Sequence, residues 1–137
     1  MNNASDKNTF QNLTPEINRE KVCPFLLRVF YRENDYNSLE DFQNLTFPTN
    51  REFHIYTWMD ATLREITMLI KEAISSGRKK DVQLIFSLIF PDSKGKLQRK
   101  ELGSINSNRK SSDDTKTLQN LRFSIGDYLD ICIVNKN

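Results

Sequence analysis

An α+β fold, a mixed five-stranded sheet with one main helix, is predicted by three observations. Two stretches of strand composition, "CPFLLRVFY" (Cys23–Tyr31) and "FSIGDYLDICIV" (Phe123–Val134), lie near the two ends of the chain. One segment alone, from Leu63 onward, spaces its apolar residues at the helical period. A third run, "VQLIFSLIF" (Val82–Phe90), is nearly all apolar, as in a strand deep in a sheet beneath a helix.

Each element follows in order. Residues 1–20 are polar, Asn-rich and without period, and read as a flexible tail ahead of a single domain at 21–137. The first strand starts after Pro24, whose missing N–H suits a strand start. Arg32 to Asn50 is a long polar connection with scattered Leu and Phe, expected to pack loosely over the sheet edge. "EFHIYTW" alternates Phe53, Ile55 and Thr57 against His54, Tyr56 and Trp58, the period of a second strand. Leu63, Ile66, Leu69, Ile70, Ala73 and Ile74 then mark one face of the helix. Thr62 and Glu65 have capping-box spacing at its start. Ser75, Ser76 and Gly77 are its stop signal, and Arg78, Lys79 and Lys80 suit the negative end of the dipole. "PDSKGK" is turn chemistry. "LQRKELGSI" (Leu97–Ile105) reads as a polar edge strand whose Lys and Arg oppose unwanted pairing. Asn106 to Asn120 is a polar loop, and the last strand follows Gly126. The order β-β-α-β-β-β with a long first connection fits the ubiquitin-like β-grasp architecture, with first and last strands side by side at the centre.

Composition narrows the function classes. Hydrophobic residues make up 37% of the 137 and charged residues 28%, and the formal net charge is only +2. That balance is too weakly basic to argue for nucleic acid. Cys23 and Cys132 fall in apolar runs and read as buried thiols of a reducing compartment. The N-terminus has no signal-peptide core, and the run Leu84–Phe90 is too short to cross a bilayer. A cytosolic or nuclear protein is expected.

Catalytic constellations are not found. His54 is the sole histidine and has no evident partner as base or zinc ligand. Asp113 and Asp114 are read as solvated loop acids, since adjacent side chains diverge and no calcium-loop frame surrounds them. Asp127 and Asp130, three apart, are poorly placed for paired carboxylate chemistry. The basic pairs Arg99–Lys100 and Arg109–Lys110 read as surface charge. No phosphate-binding glycine loop occurs, and no cofactor or metal is expected. Direct RNA binding, the alternative reading, would want exposed aromatics interleaved with basic residues.

At "CPFLLRVF", "IYTWMDATLREI", "GSINSNRKSSDDTKTL" and "FSIGDYLDICI" the chain resembles the Sin3-associated polypeptide family (18-kDa subunit class), from about Val22 to Val134. The resemblance implies a ubiquitin-like fold, no catalytic activity and a nuclear adaptor role. It implies protein partners in a Sin3–histone deacetylase corepressor, or in a splicing assembly with Acinus and an RRM-containing protein that joins exon-junction complexes, with RNA contact indirect. Ser111 stands where the family has Gly, and the chain lacks a Pro- and Arg-rich extension seen in some members.

Two partner-binding surfaces are expected. Tyr56, Trp58 and Met59 are of the types that anchor interfaces. Arg109, Lys110, Asp113 and Asp114 form a dipolar loop able to orient a partner of mixed charge.

Overall fold

The computed structural model describes residues 17–73 and 81–135. The expected helix stop at Ser75–Gly77, the run Arg78–Lys80 and most of the tail, residues 1–16, lie outside them. The elements are β1 (Phe25–Glu33), α1 (Leu39–Gln43), a 3-10 turn (Thr49–Arg51), β2 (Glu52–Thr57), α2 (Leu63–Ala73), β3 (Val82–Pro91), β4 (Leu97–Asn106) and β5 (Tyr128–Asn135). They form one five-stranded sheet of order β2-β1-β5-β3-β4. Strands β1 and β5 are parallel, in register from Arg28 opposite Tyr128 to Glu33 opposite Ile133, and the other pairings are antiparallel. This central pair with hairpins outside it is the ubiquitin-like order.

One face of the sheet holds the main core. Leu27, Val29, Leu84, Phe86, Leu129 and Ile131 meet Leu63, Ile66 and Ile70 of α2. The Glu65 N–H donates to the Thr62 hydroxyl at 3.0 Å, which caps α2. The reciprocal half of the capping box is not made with Thr62: the Glu65 carboxylate accepts from Arg19 instead. Leu69 and Ala73, expected on the buried face, are exposed at its margin, and Thr67 is buried in their place. The Thr67 hydroxyl donates to the Leu63 carbonyl, which satisfies it in the core.

The opposite face corrects a second expectation. The connection after β1 does not pack loosely. It forms α1, capped by Ser38, and drives Phe42 into the sheet until only 1% of it is exposed. Phe42, Phe47 and Tyr128 surround Phe30, with ring centroids 5.0–5.7 Å from it. The loop after β4 is equally committed: Leu118 and Phe123 are buried in the main core, and Thr117 bridges to Thr62. Cys132 is buried as expected, but Cys23 is exposed because it precedes the first paired residue of β1.

Candidate functional site

Strand β2 is an edge of the sheet, and α2 crosses beside it. Phe53, Ile55 and Thr57 turn inward, and His54 and Tyr56 turn outward, as alternation requires. Tyr56 is 68% exposed. It stands opposite Leu26 of β1, another exposed apolar residue, beyond the reach of the α1 cluster. A groove of about 300 Å³ between β2 and α2 is lined by Phe53, His54, Ile55, Tyr56, Leu69 and Ala73. An open edge beside an apolar groove offers main-chain pairing and a side-chain pocket together.

Trp58 does not share that face. It follows the last residue of β2 and is half-buried. Its indole N–H donates to the Val22 carbonyl at 2.6 Å, and the Arg19 guanidinium lies 4.8 Å from its ring centre. Arg19 also bonds Asp60 at 2.7 Å and Glu65 at 2.8 Å. Residues 18–22, assigned largely to a flexible tail by composition, are therefore tied to the start of α2. Met59 packs against the core, and its carbonyl accepts from the Gln119 N–H. Of the first predicted trio, Tyr56 alone is largely exposed.

The second predicted surface divides in the same way. Asp113 and Asp114 are not solvated loop acids. The Asp113 carboxylate accepts from Lys116 at 2.9 Å and from the Ser104 N–H of β4 at 2.9 Å, and both bonds hold it below the usual carboxylate range. Burial works to raise the Asp114 carboxyl, but the Ser111 N–H and hydroxyl and the Arg64 guanidinium outweigh it and the net direction is down. These acids pin the loop to β4 and to α2. Arg109 and Lys110 remain on the surface. Arg109 reaches the partly exposed Asp81, at 3.3 Å.

A buried polar cluster was missed by sequence reasoning. Asp130 of β5 is fully buried on the α1 face and accepts from Arg99 at 2.8 Å and from the Asn37 side chain at 2.7 Å. Burial pushes its carboxyl up against the pull of Asn37 and Arg99. Arg99, read as an edge-protecting charge, turns inward instead, where it also donates to the Asn37 carbonyl and stacks on Tyr36. Arg51 closes the cluster on the Asn37 side-chain oxygen. Asp130, Arg99, Asn37 and Arg51 bond one another, which marks a structural clasp for the connection, while the buried Ser87 hydroxyl opposite Asp130 is left without a hydrogen-bond partner among the described residues. Among the described residues, no group of three or more His, Cys, Asp or Glu side chains is placed to hold a metal ion.

The family model for Sin3 associated polypeptide p18 (SAP18) matches residues 16–133. The chain belongs to the SAP18 family. A human relative, described as histone deacetylase complex subunit SAP18, is 48% identical over 123 residues, which cover 88% of this chain and 80% of the relative. The relative of that description from Arabidopsis thaliana is 43% identical over 119 residues (85% and 78%). The one from Drosophila melanogaster is 42% identical over 123 residues (89% and 81%). Among solved structures, the C-terminal ubiquitin-like domain of mouse tubulin-specific chaperone e is similar at a TM-score of 0.46 and 14% identity, covering 87% of this chain and 95% of that one. The SAP18 family is one of complex subunits rather than of enzymes. Within its motif stretches, "IYTWMDATLREI" supplies Tyr56, the Arg19 seat and the α2 cap. Ser111, where the resemblance expects Gly, contributes both its N–H and its hydroxyl to Asp114.

Proposed function

We propose that this SAP18-family protein is a non-catalytic nuclear adaptor that grips segments of larger proteins at the β2 edge and the β2–α2 groove. The setting we assign first is a Sin3–histone deacetylase corepressor, supported by the description its relatives carry. Splicing assemblies containing Acinus and an RRM protein are the second setting, supported by the motif resemblance. The observation that carries the reading is Tyr56: a large aromatic, 68% exposed, on an edge strand beside an apolar groove. Such a side chain buries much area at small entropic cost when a partner covers it. Direct RNA binding is less well supported, because Tyr56 is the one exposed aromatic among the described residues and bases need several to stack on.

The test is affinity capture from nuclear extract with mass spectrometry, wild type beside Tyr56→Ala. Wild type is expected to enrich deacetylase-complex or splicing proteins. The variant is expected to lose at least about tenfold of that capture while unfolding at the same denaturant concentration. Equal capture by both chains would remove Tyr56 from the interface. Enrichment of neither class would overturn the adaptor assignment.

A further inference from the structure

The opposite flank of α2 carries a second groove of different chemistry. It is about 490 Å³ and is lined by Arg64, Met68, Lys71, Ser107, Asn108, Arg109, Lys110 and Asp114. Four of these side chains are cationic and one is a carboxylate. That carboxylate, Asp114, is already neutralised by Arg64 and held by Ser111. Arg64 also donates to the Arg109 carbonyl at 2.6 Å, and Lys71 donates to the Ser107 carbonyl at 2.9 Å. Both cations are therefore fixed in place by the loop they face. Met68 lies among them, 48% exposed on a helix whose other side is core.

We propose that this groove docks an acidic partner segment that carries an apolar anchor. The charge of the lining selects carboxylates over cations. Met68 supplies a soft, adaptable apolar floor that cations alone would not need. A nucleic acid would meet the same charge, but the lining holds no aromatic ring to stack a base. A phosphate-only ligand would leave Met68 unused. The groove lies on the side of α2 away from Tyr56 and is joined to that surface over the exposed ridge of Met68 and Leu69. The proposal deepens the adaptor reading and rests on it, by naming the chemistry of a second contact.

The test uses the full chain and a short fluorescent peptide rich in Glu and Asp around a single Leu, followed by anisotropy. Three further probes are the peptide with Ser for Leu, the peptide with Lys for its acids, and a single-stranded RNA of equal charge. The acidic Leu peptide is expected to bind best, and more weakly as salt rises. Arg109→Glu with Lys110→Glu, both exposed and safe for folding, is expected to weaken it about tenfold. Met68→Ser is expected to remove the advantage of Leu over Ser. Tyr56→Ala is expected to leave peptide affinity unchanged, so a failure of nuclear capture and a failure of this groove are read separately. No binding, or binding indifferent to both sets of substitutions, overturns the proposal. RNA bound as tightly as the peptide, and lost with the same cations, would make the groove a nucleic-acid surface instead.

Discussion

The Arg19 guanidinium lies 4.8 Å from the centre of the Trp58 ring while its nitrogens bond Asp60 and Glu65. The same indole donates to Val22. A stretch with almost no buried apolar surface is thus held by one cation and one ring. Arg19→Ala is expected to release residues 18–22 and wet the only Trp in the chain. The emission maximum should move to the red and the 21–22 amides should lose exchange protection. Global stability should fall by no more than about 1 kcal/mol, because the pairs are partly exposed. An unmoved emission spectrum would show that Trp58 is held by something else.

Asp130 makes the opposite prediction. Its carboxylate is fully buried, so removing either side of its pair strands the other. Arg99→Ala is expected to cost about 3 kcal/mol in urea denaturation, and Asp130→Ala a similar amount. The double variant should cost clearly less than the two together, because neither charge is then left alone. Strict additivity would mean that Arg99 and Asp130 are not coupled.

The unequal legibility of the fold has a physical basis. Strands β1, β3 and β5 announce themselves because burial on both faces demands apolar runs. The edge strands were legible from alternation in Glu52–Thr57 and from polarity in Leu97–Ile105. α1 was not, because a helix of five residues cannot display a 3.6-residue period and Phe42 and Phe47 look scattered. The inward turn of Arg99 was hidden as well, since a cation 31 residues from its buried carboxylate looks in sequence like any edge charge. Tyr56 was correctly read as outward from its register. For Trp58 alternation left two readings open, a cap on the core beside Leu63 or a partly exposed anchor, because it lies one residue past the strand end, where its indole turns to Val22.

Acid should unfasten the β1–β2 hairpin before the centre of the sheet. The Glu52 carboxyl is held below the usual range by the Arg28 guanidinium at 2.6 Å, with help from His54. A lowered folded-state pKa means stability that is present above the unfolded value and is lost as pH falls through the folded one. Asp113 and Asp114 act in the same sense. Asp127 and Asp130 oppose them, since burial lifts both carboxyls and their protonation favours the folded state. Stability is therefore expected to decline as pH drops below about 4.5. Glu52→Gln should lower stability at neutral pH and flatten that decline. Chemical denaturation at a series of pH values measures both, and an unchanged slope in Glu52→Gln would exclude Glu52 as a source of acid sensitivity.

Gly103 and Asp113 set the position of the loop that carries Arg109 and Lys110. A Cβ on Gly103 would lie 2.6 Å from the Asp113 carboxylate oxygen and 2.9 Å from its carboxyl carbon. The carboxylate cannot simply withdraw, because that oxygen accepts from the Ser104 N–H and its partner oxygen from Lys116. Gly103→Ala must therefore push the loop off β4 or distort the bulged β3–β4 pairing. The expected cost is about 1–3 kcal/mol, with faster amide exchange at Ser104. Removing the nearest obstacle tests the cause: an Asp113→Ala background takes away the 2.6 and 2.9 Å contacts and leaves the Cβ at 3.2 Å, so Gly103→Ala should then cost less than it does alone. If the methyl is as costly without the Asp113 carboxylate as with it, the close approach of these two residues is not what demands glycine here.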